Sequence, residues 1–140
     1  MKNQEAYQAL IEHGLRPSVQ RLAIMEYLLT HFTHPTVDDV YTGLSARMST
    51  LSRTTVYNTL RLFSEHQVAQ MITIDDHHVC YDGNTKPHVH FYCRQCGKVS
   101  DLYDEAAPHI DQPQMVGGNE VDEVQLYYKG ICAQCMNKNK

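Results

Sequence analysis

The chain has 140 residues, enough for one compact domain or two small ones, which excludes a large multidomain enzyme. Apolar residues make up 42% and charged residues 20% of the sequence, a composition that excludes wholesale disorder and collagen-like repeats. The net charge is −4, and aliphatic runs such as residues 22–25 are far too short to span a bilayer. The first residues lack the apolar segment of a secretory signal, so we expect a cytoplasmic protein with no membrane partner.

The first half of the sequence predicts amphipathic helices. Pro17 suits a first helical turn, and apolar residues follow at helical spacing over residues 18–31. Thr36 and Asp39 form a variant of the capping box, after which apolar side chains recur at i, i+3, i+4 and i+7 from Val37. We therefore expect two helices that each bury one face.

A third helix is predicted over residues 52–65, with Ser52 as its cap. Val56, Leu60 and Phe63 share the inward face. The other face carries polar and basic side chains, namely Arg53, Thr54, Tyr57, Asn58 and Arg61. Residues 1–68 contain six basic and six acidic residues, so any contact with DNA must depend on locally placed arginines rather than on bulk charge.

After residue 67 the pattern changes to two short β-like runs, residues 71–74 and 79–81, separated by the polar turn of residues 75–78. This pattern predicts a hairpin. Helices followed by a two-stranded ribbon are typical of a winged helix-turn-helix, whose third helix enters the major groove of DNA. Because the turn contains Asp75 and Asp76, we do not expect the tip of this wing to approach DNA closely.

The second half begins after residues 83–87, whose turn and linker composition predicts a domain boundary. Strand candidates follow at residues 90–92, 98–102 and 121–128. The region between the last two, residues 104–119, contains Pro108, Pro113 and two adjacent glycines, so we expect a short broken helix and an irregular loop there.

Four of the five cysteines form two Cys-x-x-Cys pairs, Cys93 with Cys96 and Cys132 with Cys135. Each pair presents two sulfurs from a tight turn, and Gly97 lets the backbone turn away, so four thiolates complete a closed tetrahedral zinc site. The 35 residues between the pairs imply that the C-terminal segment folds back onto the sheet. A thioredoxin-like redox pair, buried cysteines or an iron–sulfur cluster are the alternatives. The remaining cysteine, Cys80, lies in an apolar run, where we expect a buried structural role.

Histidines and aspartates form a second group of metal-ligand candidates. His88 and His90 lie on one face of a strand, because side chains alternate with period two, and they can share an ion. Asp82 precedes them, Asp101 follows on the next strand candidate, and His34 lies before a helix. Three nitrogens and two carboxylate oxygens suit Fe²⁺, Mn²⁺ or Zn²⁺. From spacing alone, however, the last three residues are better explained as helix-entry and solvated turn residues.

Four motifs follow one another along nearly the whole chain. They are His34-Pro35-Thr36, the helical string Thr54-Thr55-Val56-Tyr57-Asn58-Thr59-Leu60, the string His88-x-His90-Phe91-x-Cys93-x-x-Cys96-Gly97-Lys98-Val99, and the second cysteine pair. In this order the sequence resembles the ferric uptake regulator family, whose members are dimeric, metal-dependent bacterial transcription repressors.

The resemblance implies an α+β fold and a function. A winged helix-turn-helix DNA-binding domain is expected over residues 1–82, a hinge at 83–87, and a small α/β dimerisation and metal-binding domain with a four-cysteine zinc site over 88–140. The expected partners are a second copy of the chain and double-stranded operator DNA with an inverted repeat, and no catalytic activity is expected.

The resemblance also assigns site residues. Structural zinc is assigned to Cys93, Cys96, Cys132 and Cys135. A regulatory Fe²⁺ or Mn²⁺ ion at the hinge is assigned to His34, Asp82, His88, His90 and Asp101. Contacts with DNA are expected from Arg16, Ser52, Arg53, Thr54, Thr55, Tyr57, Asn58 and Arg61. Among them, Arg53 and Thr54 are expected to contact phosphate, and Tyr57 and Asn58 bases or methyl groups.

The aspartates distinguish two branches of the family. Aspartate at both position 82 and position 101 resembles the peroxide-sensing repressors, whereas the iron-sensing branch typically has glutamate there. Many iron sensors also have a second histidine and carboxylate site in the same strands. Here Pro87, Val89 and Val124 occupy the positions where that site would need ligands.

In the peroxide-sensing branch, bound Fe²⁺ reacts with hydrogen peroxide, and the oxidant attacks ligand histidines, matched here by His34 and His88. Oxidised imidazole is a poor ligand, so the metal is lost, the dimer opens and peroxide-defence genes are derepressed, whereas Mn²⁺ holds the repressor closed. The alternatives are an iron-responsive repressor without peroxide chemistry, a zinc-level sensor, and a non-haem iron enzyme with open coordination positions and a substrate pocket.

Overall fold

The computed structural model describes residues 2–75, 78–86, 88–102, 110 and 112–138. The chain divides into two compact units, Met1–Thr85 and Lys86–Lys140. Among the residues described, no helix is both long and apolar enough to cross a membrane.

Among its described residues, the first unit contains four helices, α1 (Lys2–Glu12), α2 (Val19–Thr30), α3 (Val37–Ser45) and α4 (Arg53–Glu65). The last three confirm the helices predicted from apolar spacing. Helix α1 was not predicted, because its apolar residues are outnumbered by polar ones, yet it buries Ala6 and Leu10 completely. These two residues lie one helical turn apart and therefore share a face of the helix. This spacing is the sequence feature that marks α1.

Side-chain caps determine where the helices begin. Ser18 and Ser52 each accept a hydrogen bond from the backbone N–H three residues further on, at the starts of α2 and α4. Thr36 and Asp39 form the predicted capping box at the start of α3. Each cap satisfies backbone donors that the helix itself leaves without an acceptor, which contributes about 1 kcal/mol.

The core of the first unit joins all four helices and extends beyond them to Tyr81. Its completely buried members include Ile24 and Leu28 of α2, Val40 of α3, and Phe63 of α4. Full burial of a large apolar side chain contributes roughly 1.5–3 kcal/mol. This unit therefore has a hydrophobic core of its own.

The predicted hairpin is confirmed as two antiparallel strands, β1 (Gln70–Asp75) and β2 (His78–Asp82). Gln70 pairs with Asp82, and the register changes between Ile72 and Asp75. Residues 76–77, and with them the predicted tip of the wing, lie outside the described part of the chain. Four helices and this hairpin form the winged helix-turn-helix expected from the sequence.

The second unit contains β3 (Val89–Cys93), β4 (Val99–Leu102), β5 (Gln114–Val116), β6 (Asn119–Val121), β7 (Tyr127–Gly130) and α5 (Ala133–Lys138). One sheet has the order β4-β3-β7, in which β4 is antiparallel and β7 parallel to β3. The strands predicted at residues 90–92 and 98–102 are confirmed, and the chain has the predicted α+β class.

The strand predicted over residues 121–128 is wrong as one continuous element, since only residues 121, 127 and 128 lie in strands. Gly117 and Gly118 adopt positive φ angles of 57° and 82°, which lets β5 and β6 form a tight hairpin, and β7 begins only at Tyr127. The broken helix expected over residues 104–119 is wrong where it can be checked, since residues 114–121 form this hairpin. Residues 103–109 and 111 lie outside the description. Helix α5 was not predicted.

Candidate metal centres and DNA-binding helix

The two cysteine pairs meet in the second unit. The Sγ atoms of Cys93 and Cys135 are 3.8 Å apart, and those of Cys96 and Cys132 are 3.9 Å apart. All four sulfurs lie within 4.8 Å of one another. The corners of a tetrahedron whose centre is about 2.3 Å from each sulfur are about 3.8 Å apart, the geometry of zinc thiolate sites. These distances fit zinc and are far longer than a disulfide bond of about 2.05 Å.

Local backbone geometry holds the sulfurs in place. Cys93 ends β3, and the chain turns at Gly97, whose φ of 77° and hydrogen bond to the Cys93 carbonyl confirm the predicted turn. Cys132 precedes α5, and Cys135 lies in the first turn of that helix. The parallel pairing of β3 with β7 brings the ends of the two strands together, so the C-terminal segment folds back as predicted.

Charge on the sulfurs is unevenly stabilised. The backbone N–H groups of Cys96 and Cys132 donate to the Cys93 sulfur and lower the pKa of Cys93 to about 6. Hydrogen bonding with the Cys132 sulfur, together with burial, raises the pKa of Cys135 to about 12. A set of four sulfurs with one acidic and one very weakly acidic thiol needs a cation to become four thiolates. The donor set therefore fits a structural zinc ion.

A buried imidazole and carboxylate face each other in the first unit. The Nε2 atom of His34 is 3.7 Å from Oδ2 of Asp82, and Asp82 is only 1% exposed. The backbone N–H of Asn84 donates to the other carboxylate oxygen at 2.9 Å. The segment before α3 is tied to β2, since the Tyr81 N–H donates to the Pro35 carbonyl. Burial of a carboxylate is costly without a cation, so this pair fits metal binding.

His34 also has an unusual backbone. Its φ of 60° lies in the left-handed region, which costs a residue other than glycine roughly 1–2 kcal/mol. Strain of this kind concentrates at functional positions, where the surrounding structure enforces it. Spacing alone had favoured a solvated helix-entry role for His34, and its burial shows that this interpretation is wrong.

The second unit holds a matching group. Asp101 is the cross-strand partner of His90, and its Oδ1 atom is 3.1 Å from Nε2 of His88 and 3.5 Å from Nε2 of His90. The predicted placement of the two histidines on one face is thus confirmed. Ligand atoms about 2.1 Å from one ion lie about 3.0–3.4 Å apart, so these distances suit coordination.

The tautomer of His88 supports this interpretation. Nδ1 of His88 is 2.7 Å from the carbonyl oxygen of Lys86, and only a protonated nitrogen can donate to that acceptor. With Nδ1 as the donor, Nε2 of the neutral ring has a lone pair available to a metal ion, 3.1 Å from Oδ1 of Asp101. Histidines that bind metals donate their other ring nitrogen to a carbonyl in this way.

Helix α4 presents the predicted polar face to solvent. Of the expected DNA contacts, Arg16, Ser52, Arg53, Thr54, Tyr57, Asn58 and Arg61 are exposed, and Thr55 is half-buried. The N–H of Thr55 donates to the Ser52 hydroxyl in the helix cap, which gives that residue a structural role. Both arginines of α4 have acidic partners, Asp38 for Arg53 and Glu65 for Arg61.

Sequence comparison places the chain among known proteins. Residues 12–129 match the ferric uptake regulator family. The chain belongs to this family. It is 36% identical over 135 residues to the peroxide operon regulator of Bacillus subtilis (strain 168), an alignment that covers 96% of this chain and 93% of that protein.

Solved structures agree with the fold. A structure of PerR from Streptococcus pyogenes, described as a basis for peroxide sensing and gene regulation, is similar with a TM-score of 0.53 and 27% identity. The similarity covers 96% of this chain and 92% of the Streptococcus pyogenes chain. The Helicobacter pylori ferric uptake regulator has a TM-score of 0.67 at 17% identity, covering 96% and 91% of the two chains, and supports the fold alone.

Proposed function

We propose that the protein is a homodimeric, metal-dependent repressor that binds double-stranded operator DNA and senses hydrogen peroxide. The observation that carries the proposal is the two groups of histidine and aspartate side chains, with aspartate rather than glutamate at positions 82 and 101. The relationship to peroxide regulators supports the same assignment. The exposed polar face of α4 is the proposed DNA-binding surface, and an inverted repeat suits a symmetric dimer.

The proposed regulatory site takes ligands from both units. His34 and Asp82 belong to the first unit, and His88, His90 and Asp101 belong to the second. One Fe²⁺ or Mn²⁺ ion bound by both groups would fix the DNA-binding unit relative to the rest of the chain. Because the ion binds well only when both groups are in reach, metal binding shifts the population toward that arrangement. The site formed by the four cysteines would hold zinc and support the second unit.

An Fe²⁺ ion held by these residues would supply electrons for the reduction of hydrogen peroxide, and the resulting oxidant would add one oxygen to a ligand imidazole. The residues proposed to be modified are His34 and His88. An oxidised ring is a weaker donor, so the group to which it belongs no longer holds the ion. The remaining ligands then bind the ion more weakly, and the repressing arrangement is lost.

The test begins with selection of a binding sequence from a random duplex library by zinc-loaded protein with Mn²⁺. Binding of the selected duplex is then measured with Fe²⁺ and with Mn²⁺, before and after micromolar peroxide, with mass spectrometry of the peptides that contain His34 and His88. We expect peroxide to abolish DNA binding by the Fe²⁺-loaded protein but not by the Mn²⁺-loaded protein. The Fe²⁺-loaded protein should also gain one oxygen on His34 or His88.

Two results would contradict the proposal. Binding that follows metal but ignores peroxide, with both histidines unmodified, would identify an iron- or manganese-responsive repressor. Failure to enrich any duplex would exclude sequence-specific DNA binding altogether. His88→Ala should abolish activation by metal, whereas His31→Ala, an exposed histidine outside both groups, should not.

A further inference from the structure

An interhelical contact lies at the start of the proposed recognition helix. Arg53 is the first residue of α4, and its guanidinium forms an ion pair with the carboxylate of Asp38 in the first turn of α3. The same guanidinium lies over the ring of Tyr41, 4.7 Å from its centre. The side chains of Arg53 and Asp38 are 58% and 73% exposed. The contact is therefore open to another ligand.

We propose that Asp38 is a positioning residue that holds Arg53 against Tyr41 and thereby lowers the affinity of the protein for DNA. The inference rests on the proposed function, in which α4 binds operator DNA. Asp38 acts through Arg53, because the carboxylate occupies the guanidinium that would otherwise pair with a DNA phosphate.

Charge at the helix terminus explains the competition. The N-terminus of a helix favours anions, yet the first turn of α4 contains no acidic residue and begins with a cation. Asp38 supplies an anion from the neighbouring helix. A DNA phosphate is the other anion that suits a helix N-terminus and a planar guanidinium, so carboxylate and phosphate compete for one site.

Asp38 is distinguished from the acidic residue beside it. The carboxylate of Asp39 accepts the Thr36 N–H at 3.0 Å in the capping box and so serves α3. Asp38 has no part in that cap. An ion pair between two such exposed side chains contributes little to stability, so removal of the carboxylate should free the guanidinium for a phosphate without disrupting the fold.

The experiment measures binding of the library-selected duplex by the Mn²⁺-loaded, zinc-loaded protein as a function of salt. Asp38→Asn should tighten binding and steepen the salt dependence by about 0.9 in log–log slope, the value for one more phosphate contact. Its advantage over wild type should then grow about 3.5-fold between about 200 and about 50 mM salt. Asp38→Glu should restore wild-type behaviour.

A double-mutant cycle tests whether Asp38 acts through Arg53. In an Arg53→Ala background, Asp38→Asn should give little gain, because the residue through which it acts is gone. Glu12→Gln is the matched control, because it also removes one negative charge from the first unit. The Glu12 carboxylate accepts a hydrogen bond from the Gln8 amide rather than from an arginine. This variant should leave the salt slope unchanged.

Unchanged or weaker binding by Asp38→Asn overturns the proposal, as does an equal gain with and without Arg53. A wild-type protein that enriches no duplex contradicts the proposed function itself, and the inference falls with it. Wild-type binding without any effect of Asp38 overturns the inference alone.

Discussion

Replacement of Cys96 by serine tests how far the second unit depends on zinc. Among the described residues of that unit, the completely or almost completely buried apolar side chains are Val89, Cys93 and Cys135. Burial of one valine contributes roughly 1.5–3 kcal/mol. Ordering the backbone of β3 alone, five residues long, costs about 5–10 kcal/mol. Structural zinc contributes about 10–16 kcal/mol to small domains, so its loss should exceed what the remaining contacts can offset.

We therefore expect Cys96→Ser to lose zinc and to unfold the second unit while the first remains folded. Zinc content and hydrogen exchange followed by mass spectrometry measure both effects. Peptides that cover β3 and β7 should exchange at the fastest times, whereas those that cover α2 and α4 should keep their protection. Cys80→Ser, a cysteine outside the cluster, should retain zinc. Retained zinc with unchanged protection of β3 in Cys96→Ser would refute the assignment of a structural site.

Three further substitutions test other parts of the structure. Arg61→Ala should weaken duplex binding and reduce the salt slope by about 0.9 if the arginine contacts phosphate; an unchanged slope in a salt titration removes it from the interface. Phe63→Ala should lower the free energy of unfolding in urea by about 3–5 kcal/mol because the ring is completely buried, whereas Phe32→Ala, 49% exposed, should change it by less than about 1 kcal/mol. Gly83→Ala places a Cβ atom 2.9 Å from the Leu28 carbonyl oxygen, which should cost about 1–3 kcal/mol and weaken Mn²⁺ binding at the adjacent Asp82; calorimetry showing neither effect would contradict this packing.

Patterns set by local chemistry were predicted well from the sequence. The capping box of Thr36 and Asp39, the polar face of α4 and the two cysteine pairs all depend on spacings within one helix or one turn. Such spacings are visible without knowledge of tertiary structure. The first helix was not predicted, because only Ala6 and Leu10 mark its buried face.

Features that depend on long-range pairing were predicted poorly. Residues 121–128 include valines and tyrosines, which favour strands, but the turn at Gly117 and Gly118 pairs β6 with β5 and leaves β7 to join β3. The burial of Asp82 and the half-buried position of Asp101 could not be predicted either, because an aspartate in a turn and a metal-binding aspartate have the same local sequence. The family resemblance, rather than spacing, identified them as ligand candidates.

Folding during synthesis has two stages, because the strands of the second unit are synthesised after the first unit is complete. All elements of the first unit lie within Met1–Thr85, so it can fold while synthesis continues. The central strand β3 must wait for its parallel neighbour β7, and Cys93 and Cys96 must wait 35 residues for their partners, about 2–7 s at typical elongation rates. A nascent chain stalled in that interval carries a finished DNA-binding unit and half of a zinc site. Only a chain translated past residue 135 can bind zinc with all four cysteines, so complete zinc coordination distinguishes such chains from truncated ones.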